Sequence, residues 1–137
     1  PIILTDFLWW QVIIGFVVMH LITGAILSIV FQMAHVVEGT VQPMPNENGI
    51  IETDWAVHQL NTTSDFGRDS NFLNWFVGGL NFQIEHHLFP NISHVHYRKL
   101  SPIVERTAIQ FGLVYNLKPS FASALVSHIK RLKELGR

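Results

Sequence analysis

From Phe7 to Val37 the chain carries no charge at neutral pH unless His20 or His35 takes a proton. Gln11, Thr23, Ser28 and Gln32 are the other polar side chains in a run otherwise built of apolar residues. Crossing the hydrocarbon core of a bilayer takes about 20 consecutive apolar residues as a helix. The run is long enough for one span with an extension, and too short for two spans and a turn. It has neither the basic leader nor the short apolar core of a signal peptide. A chain of 137 residues has no interior that could bury such a helix on every side, so the run reads as a transmembrane helix. Gly15 and Gly24 suit close packing against neighbouring membrane helices.

All nine Lys and Arg residues lie at or after Arg68, whereas the first 67 positions hold only acids: Asp6, Glu38, Glu47, Glu52, Asp54 and Asp65. Cytoplasmic flanks of membrane spans collect basic residues, so the C-terminal side is expected in the cytoplasm and Pro1 near the opposite face. Charged residues make up 14% of the chain, against about 25% in soluble domains. Together with a formal net charge of −1, this excludes an extended disordered chain and gives no nucleic-acid partner. With no Cys there is no disulfide framework, thiol nucleophile, Cys-type zinc site or iron–sulfur cluster.

Beyond the span the pattern is of short helices. Gly39 to Asp54 contains Pro43, Pro45, Asn46, Asn48 and Gly49 and reads as a loop. Asp54 is placed to cap a helix through about Thr62, and Thr63 to Ser70 is turn-like. Phe72 to Phe89 is apolar and ends at Pro90, with a bend expected at Gly78-Gly79. It reads as an interfacial or buried helix rather than a second span. Ser101-Pro102 predicts a helix start and Gly112 its stop. Ser120 predicts the cap of a last helix with Ala122, Leu125, Val126, Ile129 and Leu132 on one face. The organisation is therefore all-α: a transmembrane helix and its cytosolic extension over 1–38, then a cytosolic or interfacial helical region over 39–137.

Eight histidines demand placement, because imidazole is the commonest protein metal ligand. The densest cluster is Gln83-Ile84-Glu85-His86-His87. On a helix, positions i, i+3 and i+4 share a face, so Gln83, His86 and His87 converge. Neutral imidazoles arranged this way can hold a transition metal, and spacing alone leaves open which one. His35 closes the apolar run, where ionisable groups are rare and usually functional. His20 at mid-span suits a hydrogen bond to a neighbour. His58 is open to either role, His94 and His96 read as surface or headgroup contacts, and His128 as structural.

The stretch Gly78-Gly79-Leu80-Asn81-Phe82-Gln83-Ile84-Glu85-His86-His87-Leu88-Phe89-Pro90 resembles the third histidine box of membrane fatty acid desaturases. It is most similar to the front-end group, where Gln opens the box. Phe31 to His35 resembles the segment that ends the last span and supplies a further His. Trp55 to Asp65, His94 to Pro102 and Gly112 to Tyr115 resemble the segments around the box. The resemblance implies a four-span bundle with two iron ions on its cytosolic side, activating O2 to insert a double bond into an acyl-CoA or acyl-lipid chain. Electrons would come from a cytochrome b type protein or a ferredoxin. Carried over residue by residue, His35, His86 and His87 match metal ligands. Gln83 replaces a ligand His and is expected to bind through water or to orient a ligand. Asp65, Asn81 and Glu85 are candidate acceptors for ligand N–H groups. Arg98 and Lys99 are candidate contacts for a substrate headgroup.

The family's HxxxH-like and HxxHH-like boxes are absent, so the chain reads as the C-terminal piece of a desaturase, incomplete by itself. The alternatives are a hydroxylase or sphingoid desaturase with the same metal chemistry, and a non-catalytic membrane-anchored protein with a basic amphipathic tail.

Overall fold

A computed structural model describes residues 6–137; the expected position of Pro1 lies outside the described residues. Helix α1 runs over Trp9–His35, 27 residues, or about 40 Å at 1.5 Å per residue. Its side chains stand exposed from Trp9 to Ile29 save half-buried Val12, and burial begins at Val30, Met33 and Ala34. Such a surface is stable only against lipid or other apolar helices, and a helix satisfies its own backbone there. Val30, Met33 and Ala34 pack with Phe66, Val77 and Ala124. The Thr40 hydroxyl lies 2.9 Å from the carbonyls of both His35 and Val37, and its one proton is shared between them at the helix end.

Helix α2 (Trp55–Thr62) starts where Asp54 places it, although the Asp54 side chain makes no capping bond. The apolar stretch after it is not one bent helix. It forms α3 (Asn71–Phe76) and α4 (Gln83–Leu88), separated by a turn in which Gly78 and Gly79 have φ of +60° and +81°. A Cβ on Gly79 would stand 2.6 Å from that of His94, so the turn needs glycine for space as well as for backbone.

A 3-10 turn over His94–His96 leads into α5 (Tyr97–Gln110), which begins four residues before the expected start and carries Pro102 inside it. The missing Pro N–H forfeits one helical bond. The earlier start has a packing reason: it sets Tyr97, Ser101, Val104 and Ala108 in one buried stripe. Helix α6 (Phe121–Leu135) opens with the expected Ser120 cap, whose Oγ accepts from the Ser123 N–H at 3.1 Å. Its core-facing side is Ala124, Ser127 and half-buried His128, while Val126, Ile129 and Leu132 of the apolar face stand exposed. His128 is structural, its Nδ1 bonded to the Val36 carbonyl at 2.7 Å.

The turn-like stretch after α2 holds an element with no sequence signature. Strand β1 (Asp65–Phe66) pairs in parallel with β2 (Leu117–Lys118), with Asp65 opposite Leu117 and Phe66 opposite Lys118. The pair is short, and the fold remains an all-α membrane architecture. It nevertheless ties the C-terminal segment beneath α4: the Phe66 N–H bonds the Asn81 carbonyl at 3.0 Å, just ahead of the histidines. A second core, of Leu60, Ile84, Val104 and Ala108, joins α2, α4 and α5.

Candidate functional site

Three elements far apart in sequence meet at the C-terminal end of α1. His35 is the last residue of α1, His87 and Gln83 lie one turn apart on α4, and α2 crosses beside both. The His35 and His87 rings are 5.1 Å apart, edge to face. His35 Nδ1 lies 3.3 Å from the Thr62 carbonyl and His87 Nδ1 2.8 Å from Gln59 Oε1. Both partners only accept, so both imidazoles carry their proton on Nδ1 and hold a lone pair on Nε2. Those Nε2 atoms converge on one group, Gln83 Nε2, at 3.3 and 3.2 Å. Its two N–H bonds point at two lone pairs, while Gln83 Oε1 is buried with no partner among the described residues.

Two imidazole lone pairs facing one amide suit a transition metal once the Gln83 side chain turns its orphaned oxygen toward them in place of its N–H groups. The electrostatics favour ligation too. Burial, then the neighbouring His35 and His86, push His87 down to about 4, so it is neutral at physiological pH. His86 does not join this point. Its ring is 5.8 Å from that of His87 at 85°, and its Nδ1 lies 3.3 Å from the Tyr97 hydroxyl. Among the described residues no three His, Asp or Glu side chains gather closely enough to enclose a metal by themselves.

Asp65, Asn81 and Glu85 do not accept from the imidazoles. Asp65 and Glu85 belong to a buried polar network beneath α4. Asp65 Oδ1 accepts the Ile84 N–H at 3.0 Å, and Tyr115 Oη lies 2.6 Å from Asp65 Oδ2 and 2.9 Å from Glu85 Oε1. Ser101 Oγ reaches Tyr115 at 3.2 Å and accepts from Arg68, which pairs with Glu105 at 2.9 Å. One hydroxyl proton cannot serve two carboxylates. Burial, and then the Asp65 charge, push Glu85 up to about 9, so it is the protonated member; burial also raises Asp65 and Tyr115. The Asn81 amide is buried without a side-chain partner among the described residues.

Other histidines stand apart. His20 folds back on its own helix, 2.9 Å from the Phe16 carbonyl and with its ring tilted at 38° against that of Phe16. His58 has a buried Nδ1 without a partner among the described residues. His94 packs on Gly79, and His96 is exposed. Arg98 donates to the Asn71 side chain and the Asp69 carbonyl, and Lys99 is exposed. Gln59, Tyr97 and Tyr115 carry no motif that marks them as site residues. The signals that could have found them are that all three lie in the segments resembling those around the box, and that Gln59 and Thr62, at i and i+3, share a face of α2.

Comparison with known proteins bears on this geometry. A model described as fatty acid desaturase matches residues 2–119. The chain is 40% identical over 128 residues to the sn-1 linoleoyl-lipid 6-desaturase of Synechocystis, covering 93% of this chain and 36% of that protein. It is 46% identical over 121 residues to the acyl-lipid (8-3)-desaturase of Physcomitrium patens, covering 88% and 25%. A bovine relative, fatty acid desaturase 3, is 47% identical over 83 residues, covering 61% and 18%. The chain thus spans about a third or less of each of these relatives. No solved structure matches it.

Proposed function

The chain belongs to the fatty acid desaturase family, and from that premise we propose that it is the C-terminal part of an enzyme that inserts a double bond into an acyl-lipid or acyl-CoA chain. The observation that carries the reading is the pair His35 and His87, each fixed as the Nδ1–H tautomer with its Nε2 lone pair aimed at Gln83. In this proposal His35 and His87 hold iron with Gln83 beside them, and His86 serves a second iron. The remaining ligands come from segments of the protein outside this chain. When bound, the iron centre supplies O2 activation and the removal of hydrogen from an unactivated methylene pair, with electrons from a cytochrome b type protein or a ferredoxin.

The chain's own residues bind and orient. Gln59 and the Thr62 carbonyl keep two ligand nitrogens unprotonated and aimed, which spares the site that reorganisation when metal binds. Asp65 holds the start of α4 through the Ile84 N–H. An apolar cleft of about 360 Å³ lies between α2, α4 and α5, lined by Trp55, Leu60, Leu88, Phe89, Val104 and Phe111. Its size is that of a small-molecule site. Leu88 and Phe89 follow His87 directly, so the cleft supports an apolar chain running past the site. Arg98 and Lys99 meet the phosphate of the substrate headgroup, and this face of the protein lies in the cytoplasm.

The test replaces His35, His86 or His87 by Ala in the complete enzyme and reads lipid products by mass spectrometry. Each substitution abolishes new double bonds. An unchanged lipid profile would sink the ligand assignment, and a hydroxylated product without an unsaturated one would replace desaturation by hydroxylation.

A further inference from the structure

The outward face of α3 is aromatic. Phe72, Trp75 and Phe76, at i, i+3 and i+4, are 71%, 76% and 54% exposed. Phe72 stacks on Phe76 at 5.9 Å and meets Trp75 at 6.1 Å, so the rings form one patch. The patch is anchored from behind, because Leu73 and Val77 pack into the core that receives Val30, Met33 and Ala34 of α1. It is also continuous with the bare side of α1: Ile26, Leu27, Val30, Phe76, Val77 and Leu80 line one shallow groove between the two helices.

The position along α1 says what covers such a patch. Trp9 and Trp10 are exposed at the first turn of α1, and tryptophan concentrates at membrane–water boundaries. A hydrocarbon core of about 30 Å takes about 20 residues at 1.5 Å each. Counted from Trp9, the second boundary falls near Ser28 and Ile29, between the Leu27 and Val30 that line the groove with α3. Charge agrees with this. Every Lys and Arg follows α1 in the chain, and exposed Arg98 is tethered to Asn71 in the first turn of α3. A cation beside an aromatic patch suits phospholipid phosphates above acyl chains.

We propose that α3 is an interfacial anchor, with Phe72, Trp75 and Phe76 seated at the headgroup–acyl boundary of the leaflet in which α1 ends and Arg98 at their polar edge. This rests on α1 as the membrane span and is independent of the metal chemistry. The role of the anchor is to fix the depth of α4, and so of His86 and His87, relative to the lipid through the Val77–Phe82 turn.

The photoreactive analogue p-benzoylphenylalanine, placed at position 72 or 75 of the complete protein in phospholipid nanodiscs, reads the occupant directly. Both positions are exposed and the analogue keeps an aromatic ring, so either replacement leaves Leu73 and Val77, which pack into the core, in place. After irradiation, peptide mass spectrometry is expected to find phospholipid adducts at 72 and 75. None is expected at 109, where Ile109 is comparably exposed, at 64%, on α5. Adducts to another segment of the same protein would overturn the proposal by showing that protein covers the face. No adducts would place the face in water, and equal lipid adducts at 109 would show unselective contact; either result overturns it as well. The labelling needs no iron, so failure of the catalytic reading leaves this experiment standing.

Discussion

Substituting Gln59 by Leu isolates the role of α2 at the site. Leu keeps most of the side-chain bulk and removes the amide oxygen that accepts the His87 Nδ1–H at 2.8 Å. The His87 N–H is then left without a partner in a half-buried position, a loss of about 1–3 kcal/mol. The same bond selects the tautomer. Without it, the His87 proton can move to Nε2 and occupy the lone pair that now faces Gln83. At 1.4 kcal/mol per factor of ten, the lost bond corresponds to about 5–150-fold in the population of the aimed tautomer. That agrees with the 10–100-fold loss of metal affinity typical when a ligand's hydrogen-bond partner is removed. The assay is iron affinity of the complete enzyme by chelator competition, with the His87 tautomer read by nitrogen NMR of the metal-free protein. Gln59→Leu is expected to weaken iron binding about 10–100-fold and to shift the proton toward Nε2. Gln59→Glu keeps an acceptor and restores the Nδ1–H tautomer. If Gln59→Leu binds iron as the wild type does with the tautomer unchanged, the positioning argument is wrong. A fall in melting temperature without any tautomer shift would reduce Gln59 to a packing residue.

The buried acids predict a pH dependence. Glu85 titrates at about 9 in the fold against an ordinary 4.5, so the folded state holds the extra proton and stability falls as pH rises through that window. His87, at about 4 against 6.5, has the opposite effect, its contribution being lost as pH falls from 6.5 toward 4. Above about pH 7 the His87 contribution is constant and the raised Glu85 remains, so the melting temperature of the metal-free protein should decline toward pH 9. Glu85→Gln should flatten that decline, and a parallel decline in the variant would assign it elsewhere. Tyr115→Phe removes the hydroxyl shared by Asp65 and Glu85 and should cost about 1.5–3 kcal/mol in thermal unfolding. A loss below about 0.5 kcal/mol, the scale of an ordinary surface substitution, would mean the network repacks around the missing group.

Several elements are legible in local sequence. The α1 span follows from an uncharged apolar run, α2 and α6 begin where Asp54 and Ser120 place them, and His87 falls one turn from Gln83 as helical spacing requires. Elsewhere packing overrides the local signal. Ser101-Pro102 carries a start signal, yet burial of Tyr97 and Ser101 draws the helix back to Tyr97. Gly78-Gly79 suggests a bend, but two consecutive positive φ values end α3 outright. The apolar residues on one face of α6 are divided by the fold: Leu125 packs beside Ala124 in the core while Val126, Ile129 and Leu132 stand exposed, and the small side chains of Ala124 and Ser127 allow close approach to the end of α1.

The sequence by itself determined the span-length apolar helix, the all-α class and the position of the densest imidazole cluster after that helix. These depend on composition and on periodicities a few residues long, which any helix expresses locally. Only the tertiary structure decided which nitrogen of each imidazole faces inward, that His86 looks away from His35, and that Asp65 and Glu85 share Tyr115 instead of serving the histidines. Those choices rest on bonds between residues 11 to 50 positions apart. They form only once α2 has crossed beside α4 and the β1–β2 pair has brought the C-terminal segment beneath it. Directional hydrogen bonding is settled by where chain segments meet, and no local pattern encodes that meeting.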